Sequence, residues 1–194
     1  MYTIIGSTKT RSARVIWFLE ELGVGFGHVS VGPRSAEALA HNPSGKVPVL
    51  VADGVNIADS TAIMTYLADK HGRFTAPAGT IARAKQDSLT QFLLDEFDAV
   101  LWTAARHSFI LPPDMRLPAI KDSLRWEFAR SVDALLARMD APYVLGAEMT
   151  LPDIILTHCL HWANVSKFPV ASPRLTDYLA QMQARPAFQR AMAR

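Results

Sequence analysis

The chain has a single cysteine, Cys159, among 194 residues, so neither a disulfide framework nor a CxxC redox pair can form within it. No apolar run approaches the roughly 18 residues that a membrane helix needs. The first residues, Tyr2-Thr3-Ile4-Ile5, begin a strand-like segment with no charged leader and long apolar stretch ahead of it. Charge of one sign is lacking too: Lys and Arg exceed Asp and Glu by seven to six through residue 76 and by thirteen to twelve after it. That balance leaves no basic arm for nucleic acid and no basic amphipathic face for a membrane surface. The patterns GxxxxGK[ST], GxSxG and HExxH do not occur, which removes the familiar signals for phosphate cradling, serine hydrolysis and zinc proteolysis. The absences point to a cytoplasmic protein, kept reduced, with no nucleic-acid or membrane partner.

What is present is globular: 49% hydrophobic and 20% charged residues, enough to build a core without staples. Residues 2–6 are β-prone, and a polar loop, Ser7–Ser12, leads into a helix over Ala13–Leu22 that Gly23 ends as a C′ glycine. Phe26–Val31 returns as a strand, parallel to the first through a right-handed crossover. Ser35–His41 forms a short helix. Val47–Val51 and Val55–Ile57 then flank Asp53-Gly54, a pair suited to the positive φ of a tight hairpin. Asp59 or Ser60 starts a helix that runs to about His71.

The order βαβαββα describes a small mixed sheet with helices on its faces. After a linker over Gly72–Gly79 the pattern is helical throughout. A long helix spans about Thr80–Ile110, a Pro-rich turn Leu111–Pro118, a second long helix Ala119–Met139 and a shorter one Leu151–Asn164. One or two terminal helices follow, broken at Pro173 and Pro186. Two domains are expected: an α/β domain at 1–75 and an all-helical domain at 80–194.

Four features carry chemistry. In Ser7–Ser12, four hydroxyls and two cations crowd a helix start, where unpaired N–H groups and the helix dipole favour an anion; the ordinary reading is that Thr10 or Ser12 only caps the helix. Lys46-Val47-Pro48 opens a hairpin strand, and a proline there marks an edge, a bulge or a cis bond. Taken by itself it reads as trans. Asp59-Ser60 sets a carboxylate and a hydroxyl at a helix start, for capping or for a ligand carboxylate. Thr150-Leu151-Pro152-Asp153, flanked by Met149 and Ile154, is a capping box with a hydrophobic staple and a structural role. No metal site is expected: His158 and His161 lie three apart without a third ligand at useful spacing, and Asp95, Glu96 and Asp98 read as a solvated or interfacial stretch. Trp102, His107 and Phe109 are candidates for a ligand wall, although aromatic residues at helical spacing usually belong to a core.

Together the polar loop, Lys46-Val47-Pro48, Asp59-Ser60-Thr61-Ala62-Ile63 and the capping box resemble the glutathione S-transferase family along the whole chain. Thr10–Trp17, followed by Leu19-Glu20-Glu21-Leu22-Gly23, is similar to its bacterial cytosolic members, and Arg185-Pro186-Ala187-Phe188 to the family's last helix. The resemblance implies a thioredoxin-like domain at 1–75 that binds glutathione as co-substrate, a helical domain at 80–194 lining the site of a small hydrophobic electrophile, and a homodimer. It implies that Val47, before a cis Pro48, pairs with the cysteinyl backbone, that Asp59 and Ser60 hold the γ-glutamyl end, and that Lys46 or a neighbour meets the glycyl carboxylate. The family places Tyr, Ser or Cys in the first loop, and this loop has neither Tyr nor Cys. The hydroxyl is therefore one of Ser7, Thr8, Thr10 and Ser12, with Thr10 preferred, Ser12 its neighbour and Arg11 an assisting cation.

The expected reaction is ionisation of the glutathione thiol and its addition to an electrophile. A glutathione-binding or hydrophobic-ligand-binding protein without catalysis is the alternative. A thiol–disulfide oxidoreductase is disfavoured by the loop's lack of cysteine.

Overall fold

Short β-branched and apolar runs build the sheet. The computed structural model describes residues 1–140 and 142–194. Strands β1 (Tyr2–Ile5), β2 (Phe26–Val29), β3 (Val49–Ala52) and β4 (Val55–Ala58) lie in the order β2-β1-β3-β4. β1 and β2 are parallel and the other pairs antiparallel. Strand β2 stops two residues short of the expected Val31. Beyond it Gly6 and Ser7 donate single hydrogen bonds to the carbonyls of Val29 and Val31 at 2.9 Å each, so the ladder ends in a loop contact. In the hairpin, Asp53 and Gly54 both have positive φ, 51° and 79°, as a two-residue turn with the right twist requires.

Helices α1 (Ser12–Leu22), α2 (Ala36–His41) and α3 (Ser60–His71) complete the βαβαββα order. Val15, Ile16, Phe18 and Leu19 of α1 are fully buried, as are Ile4, Leu50, Ile63, Met64 and Leu67. Each such side chain contributes about 1.5–3 kcal/mol by leaving water. Gly23 ends α1 at φ 69°, its N–H bonding to Leu19 and Glu20 carbonyls. This is the thioredoxin-like arrangement that the family resemblance implied.

The expected long helix runs unbroken in backbone from Ile81 to Ile110, but it is not uniformly α. α4 (Ile81–Leu93) passes into a π-helical turn at Leu94–Asp98, then α5 (Ala99–Ala105), then a second π turn at Arg106–Ile110. α6 (Ile120–Leu136), α7 (Leu151–Val165), α8 (Pro173–Gln183) and α9 (Pro186–Met192) follow; α8 and α9 begin at the prolines expected to break the chain. Their missing N–H groups cost nothing in a first turn. A chain of edge-to-face rings, Phe92, Phe97, Phe128 and Phe168, with centroids 4.9–5.9 Å apart, forms part of the helical core.

The chain divides into two compact units, residues 1–78 with 182–194, and residues 79–181. The first boundary falls inside the expected linker, whereas the last helix departs from the expected helical domain at 80–194. Its side chains explain why. Phe188 meets Trp17 edge-on at 5.1 Å, Arg185 forks onto Glu21 at 2.6 and 2.8 Å, and Arg190 and Arg194 both reach Glu20. Among the described residues no helix is long and apolar enough to cross a membrane.

Candidate functional site

Strand register brings three of the four candidate segments to one end of the sheet. Ile5 lies opposite Val49, and Val49 opposite Ala58. The loop after β1, the turn before β3 and the start of α3 after β4 therefore leave the sheet from one row. Gly6, at φ 136°, lets them close: a Cβ there would collide with Ser12 Oγ and lie 2.8 Å from Val47 Cβ. The Gly6 carbonyl accepts a hydrogen bond from His28 Nε2 at 2.8 Å. Gly6 and His28 are site-shaping residues that the sequence reading missed; nothing at a separation of 22 residues marks His28 as a partner of this loop.

Within the loop the hydroxyls are already ordered. Thr10 Oγ1 donates to the Ser7 carbonyl at 2.7 Å. It accepts from Ser12 N–H at 3.2 Å and lies 2.9 Å from Ser12 Oγ. With the Thr10 proton on the carbonyl, Ser12 is the donor to Thr10. Ser12 is fully buried behind the loop, while Ser7, Thr8, Thr10 and Arg11 are half-buried and Lys9 is exposed. Ser7 Oγ accepts from Lys9 N–H at 3.2 Å and keeps its own proton for another acceptor. The expected unpaired N–H groups at the start of α1 are not all available. Those of Ser12, Ala13 and Arg14 bond to Thr10 Oγ1 and to the carbonyls of Thr10 and Arg11, because the chain makes a tight turn before the helix. The helix dipole and the lack of acidic residues in the first turn remain to favour an anion.

The Val47–Pro48 bond is cis, which overturns the trans reading of the bare sequence and agrees with the family resemblance. Lys46 is exposed, Val47 half-buried and Pro48 buried. The preceding turn is fixed by Asn42 Nδ2, which donates to the Lys46 carbonyl at 3.0 Å, and by Lys46 N–H, which donates to Ser44 Oγ at 3.3 Å. Among the described residues, neither backbone polar group of Val47 takes a backbone partner. At α3 the exposed Asp59 has φ 74°, and its Oδ1 accepts from Thr61 and Ala62 N–H at 2.8 and 3.2 Å. Ser60 is buried in the first turn.

Asp153, the fourth feature, lies in the helical unit and is wholly buried. It accepts from Thr150 N–H at 2.7 Å, Val144 N–H at 3.0 Å and the Tyr178 hydroxyl at 2.8 Å. Burial raises its carboxyl above the ordinary value although these bonds oppose the shift. Of Asp95, Glu96 and Asp98, expected to form a solvated or interfacial stretch, Asp95 is exposed, Glu96 half-buried and Asp98 buried. Trp102 and His107 are half-buried, and Phe109 is largely exposed at the second π turn.

The structure therefore joins a four-stranded thioredoxin-like sheet, carrying a cis-proline turn and a helix-start Asp-Ser at one end, to a helical unit. Residues 10–70 match the family model described as the glutathione S-transferase N-terminal domain. The chain is 28% identical over 191 residues to a glutathione S-transferase of Triticum aestivum, covering 93% of this chain and 87% of that protein. It is 26% identical over 185 residues to glutathione S-transferase GstA of Escherichia coli O157:H7, covering 90% and 89%. The crystal structure of a glutathione transferase from Methylococcus capsulatus superposes with a TM-score of 0.87 at 26% identity, covering 100% of this chain and 98% of that one. Over most of its length the chain is thus similar in sequence and in fold to glutathione S-transferases.

Proposed function

We propose that the protein is a glutathione transferase that ionises the glutathione thiol and joins it to a small hydrophobic electrophile. The observation that supports this reading is the register row Ile5, Val49, Ala58, from which the segments carrying Thr10, Val47 and Ser60 leave the sheet. An extended tripeptide thiol suits that arrangement. Its cysteinyl backbone pairs with the backbone of Val47, as a β-strand would. Asp59 Oδ1 is engaged in capping, so Oδ2 meets the γ-glutamyl ammonium while Ser60 binds the γ-glutamyl carboxylate at the dipole of α3. Lys46 meets the glycyl carboxylate.

The thiol proton leaves to solvent, and the thiolate is the nucleophile. Bringing a thiol of pKa about 8.5 to neutral pH takes roughly 2–3 kcal/mol. A hydroxyl bond to the anion contributes about 1.5–3 kcal/mol and a helix start about 0.3–1, so one hydroxyl with the α1 dipole suffices. Thr10 is that hydroxyl: Ser12, donating from behind, polarises it, and its proton turns from the Ser7 carbonyl to the sulfur. Arg11 adds a nearby cation. Sulfur then attacks the electrophilic carbon, a thioether bond forms, and the leaving group departs with the bonding pair.

The test is thiolate absorbance against pH in the glutathione complex. Thr10→Ala should raise the bound thiol's pKa by about 1–2 units, the loss of roughly 1.5–3 kcal/mol. Ser7→Ala, Thr8→Ala and Ser12→Ala serve as comparisons. A curve unmoved in Thr10→Ala but shifted in Ser7→Ala would transfer the role to Ser7. The engagement of the Thr10 proton by the Ser7 carbonyl also favours a second reading, a glutathione-binding protein without turnover. Calorimetric glutathione binding with no conjugation of an activated aryl halide would establish that instead. The proposal extends to detoxification in the cytoplasm and to a homodimer, for which sedimentation equilibrium should return twice the 21.3 kDa chain mass.

A further inference from the structure

The helical unit contains a second cluster of chemistry-bearing side chains, independent of the glutathione site. Asp98 is the last residue of the π-helical turn Leu94–Asp98, and His158 and Cys159 are neighbours on α7. A carboxylate oxygen, an imidazole nitrogen and Cys159 Sγ all lie within 4.8 Å of one another. Asp98 and Cys159 are buried, and His158 is partly exposed. The sequence concealed the group because Asp98 and Cys159 are 61 residues apart. His161, the residue first paired with His158, lies instead on the exposed face of α7.

We propose that Asp98, His158 and Cys159 form a binding site for a borderline divalent metal ion of the Zn2+ type, with water in a fourth position on the open side of His158. The donor set is mixed oxygen, nitrogen and sulfur, which suits such an ion better than a hard cation that wants oxygen alone. Charge matches as well: one carboxylate and one thiolate cancel the ion, so a neutral group is what the interior receives. Distance supports the same reading. A tetrahedral ion with bonds of about 2.3 Å to sulfur and about 2.0 Å to oxygen holds those atoms roughly 3.5 Å apart. Cys159 Sγ and Asp98 Oδ2 stand 4.0 Å apart, long for the weak thiol donor and half an ångström from ion-bridged spacing. Two further features hold the ligands in place. The imidazole of His158 lies edge-on to Trp162 with centroids 6.1 Å apart. Asp98 occupies a π turn, a distortion often kept where a helix serves a site.

Binding replaces the Cys159 S–H bond by a metal–sulfur bond and releases one proton to solvent for each ion, with no change of oxidation state, so affinity rises with pH. The ion would tie the Leu94–Asp98 turn to α7 and stabilise the fold by mass action.

Cobalt(II) titration of the untagged, chelator-treated protein tests this, under nitrogen and without glutathione or other thiols, so the outcome does not depend on the transferase reading. One Co2+ per chain is expected, with thiolate-to-cobalt charge-transfer absorption and tetrahedral ligand-field bands that Zn2+ abolishes. Because Cys159 is the chain's only cysteine, that absorption identifies its ligand in the unmodified protein, whether or not Cys159→Ser folds. Asp98→Asn and His158→Ala should each weaken binding by about tenfold or more, while His161→Ala should leave it unchanged. No saturable binding at micromolar Co2+, or binding without the charge-transfer band, would overturn the proposal. So would equal affinity in folded Asp98→Asn and His158→Ala proteins.

Discussion

Asp59 and Asp153 both cap a helix, and they do so in opposite surroundings. Asp59 stands exposed before α3 and engages one carboxylate oxygen, Oδ1, with the helix. Asp153 is sealed in the helical unit with both oxygens engaged, joining Thr150, Val144 and Tyr178. On the proposed function, a helix-start aspartate serves binding where it is unsaturated and wet, and architecture where it is saturated and dry. Burial and remaining acceptor capacity, rather than residue type, separate a ligand contact from a structural hub.

The largest expected effect comes from breaking the dry member. Asp153→Ala removes the common acceptor of two backbone N–H groups and a tyrosine hydroxyl, leaving buried donors unpaired at about 1–3 kcal/mol each before relaxation. A net loss of about 3 kcal/mol should lower the melting temperature by roughly 6–12 °C. Glutathione affinity of the remaining folded protein should be unchanged. Calorimetry showing a normal melt with lost affinity would make Asp153 a binding residue and end the contrast.

A change at the proposed glutathione-binding start of α3 should do the reverse. Ser60→Ala, beside Asp59, should weaken glutathione binding by about 10- to 150-fold, the equivalent of roughly 1.5–3 kcal/mol for a hydrogen bond to a charged group. Its melting curve should move little. Unchanged affinity by titration calorimetry would remove Ser60 from the site.

Most of the architecture was legible because periodicity reports it: the Asp53-Gly54 turn, Gly23 and the prolines at 173 and 186 stand where their backbone preferences require. The candidate segments were legible as well, since each is local in sequence. What was hidden depends on distant partners. The closure of Gly6 against Ser12 and Val47, the His28 bond, the return of α9 to α1 and the meeting of Asp98 with Cys159 have no local signature. The cis bond at Pro48 was available only through family resemblance, because an isolated X-Pro bond favours trans. The π turns were invisible for a related reason: an inserted residue shifts the helical stripe by an amount that ordinary hydrophobic scatter masks.

Intermediate in exposure between the two aspartates is Glu20, a carboxylate of α1 that is largely covered yet paired with exposed cations. Burial pushes its pKa upward, but the hydrogen bonds and charges of Arg190 and Arg194 outweigh that, and the result lies below the ordinary glutamate value. Linkage fixes the sign: a depressed folded pKa contributes stability that is present above the unfolded value of 4.5 and lost as pH falls through the folded one. Asp153 has the opposite sign, because its raised pKa contributes stability at acid pH that is lost as pH rises above 3.8 and through the folded value. The two carboxylates therefore tilt the stability curve in opposite directions. Arg190 is 57% and Arg194 39% exposed in their side chains, so screening limits the Glu20 pairs to less than about 1 kcal/mol in total. Glu20→Gln should accordingly cost under about 1 kcal/mol at neutral pH and flatten the decline of stability on acidification, as read from urea midpoints between neutral and acid pH. Raised salt should shrink the difference between the two proteins. A midpoint curve that keeps its acid-side slope in Glu20→Gln would show that the ion pairs with α9 do not govern that limb, and that the terminal helix is held by the Trp17–Phe188 contact and Arg185 on Glu21 instead.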